Sequence, residues 1–198
     1  MNDTLRAELL QMRQQDLALR AELARDGSLF DGYAPRMADL HRRHNARLRS
    51  ILAEVGWPGR SLVGEDGAAA AWLLLQHAIL DPDLMRSALP LLEAAVQAGE
   101  AEPGHLAMLV DRIRALEGRP QVYGTSHDWD AGGELTPLPI EEPDLVDARR
   151  RGMKLDPLAE NTRRLRLQAQ AEGERPPADV EGRQRDLDRW AREVGWRR

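Results

Sequence analysis

Residues 68–80 read AAAAWLLLQHAIL. A stretch apolar on nearly every helical face has to be covered on all sides, so it demands a fold in which one central helix is surrounded by other elements. Its longest uninterrupted apolar part, Ala68 to Leu75, is too short to span a bilayer. The polar residues near its end, Gln76 and His77, need partners, because an amide or imidazole buried without one costs roughly 1–3 kcal/mol.

The flanking segments supply helices to surround it. Leu5, Leu9, Met12, Leu19 and Leu23 recur at helical spacing, with Asp3 or Thr4 available as a cap and Gly27 as a stop. Asp16 interrupts that seam, which reads as a helix laid over a partner surface, an appendage at 1–34. Pro35 suits the first turn of a second helix carrying Met37, Leu40, His44, Leu48, Ile51 and Val55, and Gly56-Trp57-Pro58-Gly59 ends it. The central helix is expected from about Asp66 to Leu80. A fourth, Pro82 to Ala98, is kinked or split by Pro90, and a fifth runs from Pro103 to Leu116.

Turn formers then take over in PQVYGTSHDWDAGGELTPLP, residues 120–139, where Gln121–Thr125 and Glu134–Leu138 are short extended candidates for a hairpin or an ordered loop. Helical pieces follow at 143–151 and 157–168, then a polar linker at 171–181 and a charged helix at 180–194. Aromatic residues are only 4% of the chain, so the core is aliphatic, which suits helix-on-helix packing. The expected fold is all-α: a compact helical bundle with a small β-hairpin or ordered loop at about 120–139. The expected division is an N-terminal helix at 1–34, a helical core domain at 35–169, and a linker with a charged helix at 170–198.

The net charge of -5 gives no global pull toward nucleic acid or anionic membrane. Two basic islands, HRRHNARLR (41–49) and ARRRGMK (148–154), lack the interleaved aromatics that stack bases and read as solvated faces. Zero Cys excludes disulfides, thiolate metal sites and a cysteine nucleophile. Charges interrupt every apolar run of residues 1–25, so the expected location is cytoplasmic, without a membrane partner.

Several words occur in order along the middle of the chain: NARLRSILAEVGWPG with SLVG after it, AAWLLLQHA, LVDR, RPQVYGT, and VDARR leading to DPL. On these, residues from about 36 to 161 resemble an uncharacterised bacterial family, the domain of unknown function 6624. The resemblance implies a shared helical fold and motif positions at Asn45, Gly64, Gln76, His77, Asp111, Arg112, Gln121, Tyr123, Gly124 and Thr125. It implies no reaction.

Read for chemistry, His77 is a candidate acid/base and Asp111 the carboxylate that would hold its imidazole in one tautomer. Tyr123 would be a hydrogen-bond donor. Arg112 could clamp a ligand carboxylate or phosphate, or serve a structural ion pair. Gln121, Tyr123 and Thr125 alternate and, if extended, share one face that could line a pocket or satisfy helix ends. Gln76 and Asn45 complete the expected binding set. The bland alternative is that Gln76 and His77 only tie down the 120–139 segment. His41 and His44 have a spacing compatible with metal ligation, but Arg42, Arg43 and Arg47 crowd positive charge beside them, so no metal or other cofactor is expected.

Two functions fit this reading. One is a small-molecule enzyme using His-centred acid/base chemistry on an anionic metabolite or peptide-like substrate. The other is a non-catalytic binding or assembly module whose terminal helices dock a protein partner or a second copy of the chain.

Overall fold

The computed structural model describes residues 1–28 and 33–198, so residues 29–32 of the expected N-terminal segment lie outside the described residues. Among the described residues, eight α-helices and one two-stranded antiparallel hairpin make the fold mainly α, as the sequence predicts. The chain divides into two units, Met1–Glu102 and Pro103–Arg198, and the boundary falls inside the stretch expected as one core domain.

In the first unit, α1 (Asp3–Arg25) starts at Asn2, whose side chain accepts from Leu5 N at 3.0 Å. The cap is thus one residue earlier than Asp3. Leu5, Leu9, Met12 and Leu23 are buried, and α1 packs along α3 (Arg60–Gln76). The helix expected as an appendage therefore spends its apolar seam inside the unit. Helix α2 (Pro35–Val55) begins at its proline and ends at Gly56 as predicted, packing on α1 and α3. Its N-terminal Met37 and Leu40 close over Leu23.

The central helix differs from expectation at both ends. It begins at Arg60, bends at Gly64, where φ is 74° and ψ 170°, and stops at Gln76. His77 sits on its C-cap. The cause lies downstream: the Asp81 side chain accepts from Leu84 N at 3.0 Å and launches α4 (Pro82–Gln97), so 77–80 must turn rather than continue the helix. Pro90 does not split α4.

The second unit contains α5 (Pro103–Leu116), β1 (His127–Trp129), β2 (Leu135–Pro137), α6 (Val146–Gly152), α7 (Leu158–Ala171) and α8 (Val180–Val194). The strands pair His127 with Pro137 and Trp129 with Leu135. The hairpin is thus real but displaced: its first strand follows the segment Gln121–Thr125, which is not a strand. That segment is recruited as a loop by buried side chains of its own unit.

Candidate active site

Asp16 is the residue around which the polar core of the first unit is built. Its side chain is 0% exposed, and its two oxygens are shared between two histidines. His41 Nε2 donates to Oδ2 at 2.9 Å, and His77 Nδ1 donates to Oδ1 at 2.9 Å. The rings lie 5.4 Å apart between centroids, tilted by 33°. Burial pushes the Asp16 carboxyl up, but the hydrogen bonds from His41 and His77 outweigh it and hold the group well below the usual carboxylate range. An ionised carboxylate only accepts, so each ring nitrogen facing it carries the hydrogen.

Three helices bring these groups together. Asp16 comes from the interrupted seam of α1, His41 from the inner face of α2, and His77 from the turn that ends α3. Tyr33 lies before α2 and its hydroxyl bonds His41 Nδ1. Burial, then the charge of Asp16, push the Tyr33 phenol above its ordinary value, which keeps it protonated. The result is a continuous Tyr33–His41–Asp16–His77 chain. His41 is enclosed at 8% side-chain exposure, whereas His77 opens to solvent at 27%.

His44 and Asn45 follow on the same face of α2, both buried. His44 Nε2 meets Gln15 Oε1 at 3.3 Å, while its Nδ1 has no partner among the described residues, and burial lowers its pKa. The Asn45 amide makes no side-chain hydrogen bond among the described residues. Gln76 is half-buried beside His77. Of the arginines expected to repel a cation, Arg42 is exposed and bonds Asp39, Arg47 forks onto Glu8, and Arg43, also exposed, is near enough to add to the lowering of the His44 pKa. Donor atoms of Asp16, His41 and His77 all lie within 4.8 Å of one another, a set able to hold a metal ion.

The other predicted site residues belong to the second unit and have a different job. Asp111, expected to orient His77, is fully buried with its carboxylate occupied by the 121–126 loop. Oδ1 accepts from Val122 N at 2.7 Å and Tyr123 N at 3.0 Å; Oδ2 accepts from Thr125 N at 2.8 Å and Thr125 Oγ1 at 2.9 Å. The carboxylate on His77 is Asp16. Thr125 and Gln121, expected to bind substrate, are likewise committed. The Gln121 amide donates to Ser126 O and Leu138 O, each at 3.0 Å, and accepts from Ser126 N at 2.7 Å.

Arg150 closes the knot by donating to Tyr123 O at 2.7 Å and Asp156 O at 2.6 Å. Three backbone N–H groups converging on one carboxylate need a curled chain, so Gln121, Tyr123 and Thr125 cannot present the shared extended face that alternation suggests. Gly124 holds the curl at φ 65°. Arg112 has no ion-pair or hydrogen-bond partner among the described residues, and burial lowers its pKa; its donor fork is the part of this set left for an anion.

Sequence reasoning missed Asp16, His41 and Tyr33 as site members. The signal for Asp16 was the charged break in an apolar helix seam. The signal for His41 was its place four residues before Asn45, on one helical face.

The family whose description reads "family of unknown function (DUF6624)" matches residues 3–173. That span takes in α1 and Asp16, which the middle-of-chain motifs did not reach, and leaves α8 outside. No curated protein and no solved structure matches.

Proposed function

We propose, for a chain that belongs to this family of unknown function, that its first unit is a small-molecule enzyme whose reaction centre is the Asp16–His41–His77 cluster. One observation carries the reading: a carboxylate removed from water holds two imidazoles, and only one of them, His77, opens to solvent. Burying a carboxylate costs several kcal/mol before its hydrogen bonds offset it, and well-packed apolar residues in such a place are often as stable or more so. Such an arrangement belongs to chemistry more than to packing.

The roles follow from the atoms. His77 Nδ1–H is fixed on Asp16, so Nε2 is the nitrogen that faces a bound molecule. It accepts a proton from a water or substrate hydroxyl, Asp16 stabilises the imidazolium that results, and the proton returns to the leaving group. Asn45 and Gln76 supply amide donors and acceptors for a polar substrate, an anionic metabolite or a peptide-like molecule. The competing docking reading keeps only what the terminal helices leave uncovered, Leu17 of α1 at 46% and Leu187 of α8 at 37% exposure, since Leu5, Leu9, Met12 and Leu23 of α1 are buried. No helix among the described residues is long and apolar enough to cross a membrane.

The test is a thermal-shift screen of small anionic metabolites on the wild-type chain and on His77→Ala, followed by turnover assays on any molecule that binds. A compound that stabilises the wild type and not the variant, and is consumed only by the wild type, supports the proposal. Compounds that stabilise both proteins equally, with equal turnover or none, overturn it.

A further inference from the structure

The donors that meet at Asp16 differ in kind from an ordinary buried hydrogen-bond cluster. Two imidazole nitrogens and a carboxylate, contributed by α1, α2 and the C-cap of α3, bring their donor atoms within 4.8 Å of one another. Two atoms each about 2.1 Å from a common cation lie roughly 3.0–3.4 Å apart, given usual metal–ligand lengths and near-octahedral to tetrahedral angles. The two nitrogen–oxygen separations, each 2.9 Å and to different oxygens of Asp16, lie just below that range, and all the donor atoms lie within 4.8 Å of one another, so ligation requires a shift of the rings that brings both nitrogens and a carboxylate oxygen around a common point. His77, on a helix cap and partly open, has the freedom to make it.

The surroundings fit an ion as well. A histidine ligand ordinarily has its other nitrogen held by a neighbour, which fixes the ring. Tyr33 does this at His41 Nδ1. The one carboxylate at the centre is 0% exposed and has no arginine or lysine on it among the described residues. Beside the cluster, His44 is 5% exposed with an unpartnered Nδ1, and Asn45 is 4% exposed with its amide unbonded among the described residues; a hydrated ion or its ligand would give them partners.

We propose that Asp16, His41 and His77 form a binding site for one divalent first-row transition-metal ion, open on the His77 side to water or substrate. Imidazole donors select such ions over magnesium and calcium, which favour all-oxygen shells. Protons balance without net release from neutral rings: the hydrogen on His41 Nε2 moves to Nδ1, where Tyr33 turns from donor to acceptor, and the hydrogen on His77 Nδ1 moves to Nε2. The ion then takes the two vacated lone pairs and an Asp16 oxygen. This inference rests on the reaction-centre reading for its chemistry only. An ion held there would supply Lewis-acid activation of a bound water, and His77, with its hydrogen on Nε2, would face the substrate as a hydrogen-bond donor.

The experiment uses the full chain, stripped with a chelator and titrated calorimetrically with zinc and, for its visible spectrum, with cobalt(II). The expected result is one equivalent taken up, with a low-coordinate cobalt spectrum. Uptake should be lost in His77→Ala and retained in His127→Ala, whose ring belongs to the second unit. Tyr33→Phe should weaken binding by about 10–100-fold, the usual cost of losing a group that orients a ligand. Asp16→Asn gives a second loss-of-site variant that keeps the fold, because a His77 ring with its hydrogen on Nε2 can accept from the new amide. Absence of stoichiometric uptake, or uptake that survives both His77→Ala and Asp16→Asn, overturns the metal site. If the stripped protein still binds its small molecule in a His77-dependent way and takes up no metal, the metal inference falls and the reaction centre stands. If metal binds as described but no small molecule responds to His77→Ala, the reverse holds.

Discussion

Replacing Asp111 by Asn changes one atom and should unfasten the second unit. The carboxylate receives the backbone N–H groups of Val122, Tyr123 and Thr125 and the Thr125 hydroxyl, at 2.7 to 3.0 Å, with 0% exposure. The best placement of the amide keeps its oxygen at the Oδ1 position, preserving the Val122 and Tyr123 bonds. The amide NH2 then faces the Thr125 N–H, donor against donor, while the threonine hydroxyl can rotate and accept. One charge-assisted bond of about 1.5–3 kcal/mol disappears, and a buried N–H is left unpaired at about 1–3 kcal/mol; because those two figures partly count the same loss, the expected destabilisation is about 2–4 kcal/mol. Urea unfolding followed by far-ultraviolet circular dichroism should show it as a lowered midpoint, and a melt as a drop on the order of 10 °C. Thr125→Val, which removes only the hydroxyl, should cost about 0.5–1.5 kcal/mol. A D111N protein within about 0.5 kcal/mol of wild type, the ordinary range for a neutral surface change, would refute the view that this carboxylate holds the loop.

Three further perturbations probe other parts of the fold. Gly124→Ala should destabilise by about 1–3 kcal/mol in the same urea assay, because its Cβ would lie 2.7 Å from Ile140 Cδ1 on a backbone at φ 65°; unchanged stability would mean that the curl is not forced there. Leu9→Ala, at a position 0% exposed, should cost about 2–5 kcal/mol, whereas a dispensable N-terminal appendage would tolerate it within error. Arg6 forks onto Asp66, joining α1 to α3, and its hydrogen bond is the main cause that lowers the Asp66 carboxyl from 3.8 to about 2. A depressed carboxylate contributes stability that is fully present above its unfolded pKa and lost as pH falls through the folded one. Arg6→Met should therefore remove part of the acid sensitivity between 3.8 and about 2, with no change in slope near neutrality; identical pH profiles for the two proteins would refute it.

The sequence by itself determined the elements. Apolar residues three and four apart are a local pattern, and so are prolines at first turns and glycines past last turns, which is why α1, α2, α5, α6, α7 and α8 begin and end close to where the chain predicts. It also marked residues under constraint: Gln76, His77 and Asp111 stand out because polar groups in apolar company need partners, and Gln121 by its alternation with Tyr123 and Thr125. The tertiary structure decided who those partners are. Asp16 and His77 lie 61 residues apart and Asp111 meets a loop 11 to 14 residues away, and no periodicity tells a buried carboxylate whether to take an imidazole or a turn of backbone. Hydrogen-bond geometry gave the backbone N–H groups to Asp111 and the histidines to Asp16, because α1 packs along α3 and the one charge that interrupts its buried seam meets His77 at the end of that helix. The site therefore moved from the residues that looked most conspicuous to a break in the pattern of the first helix.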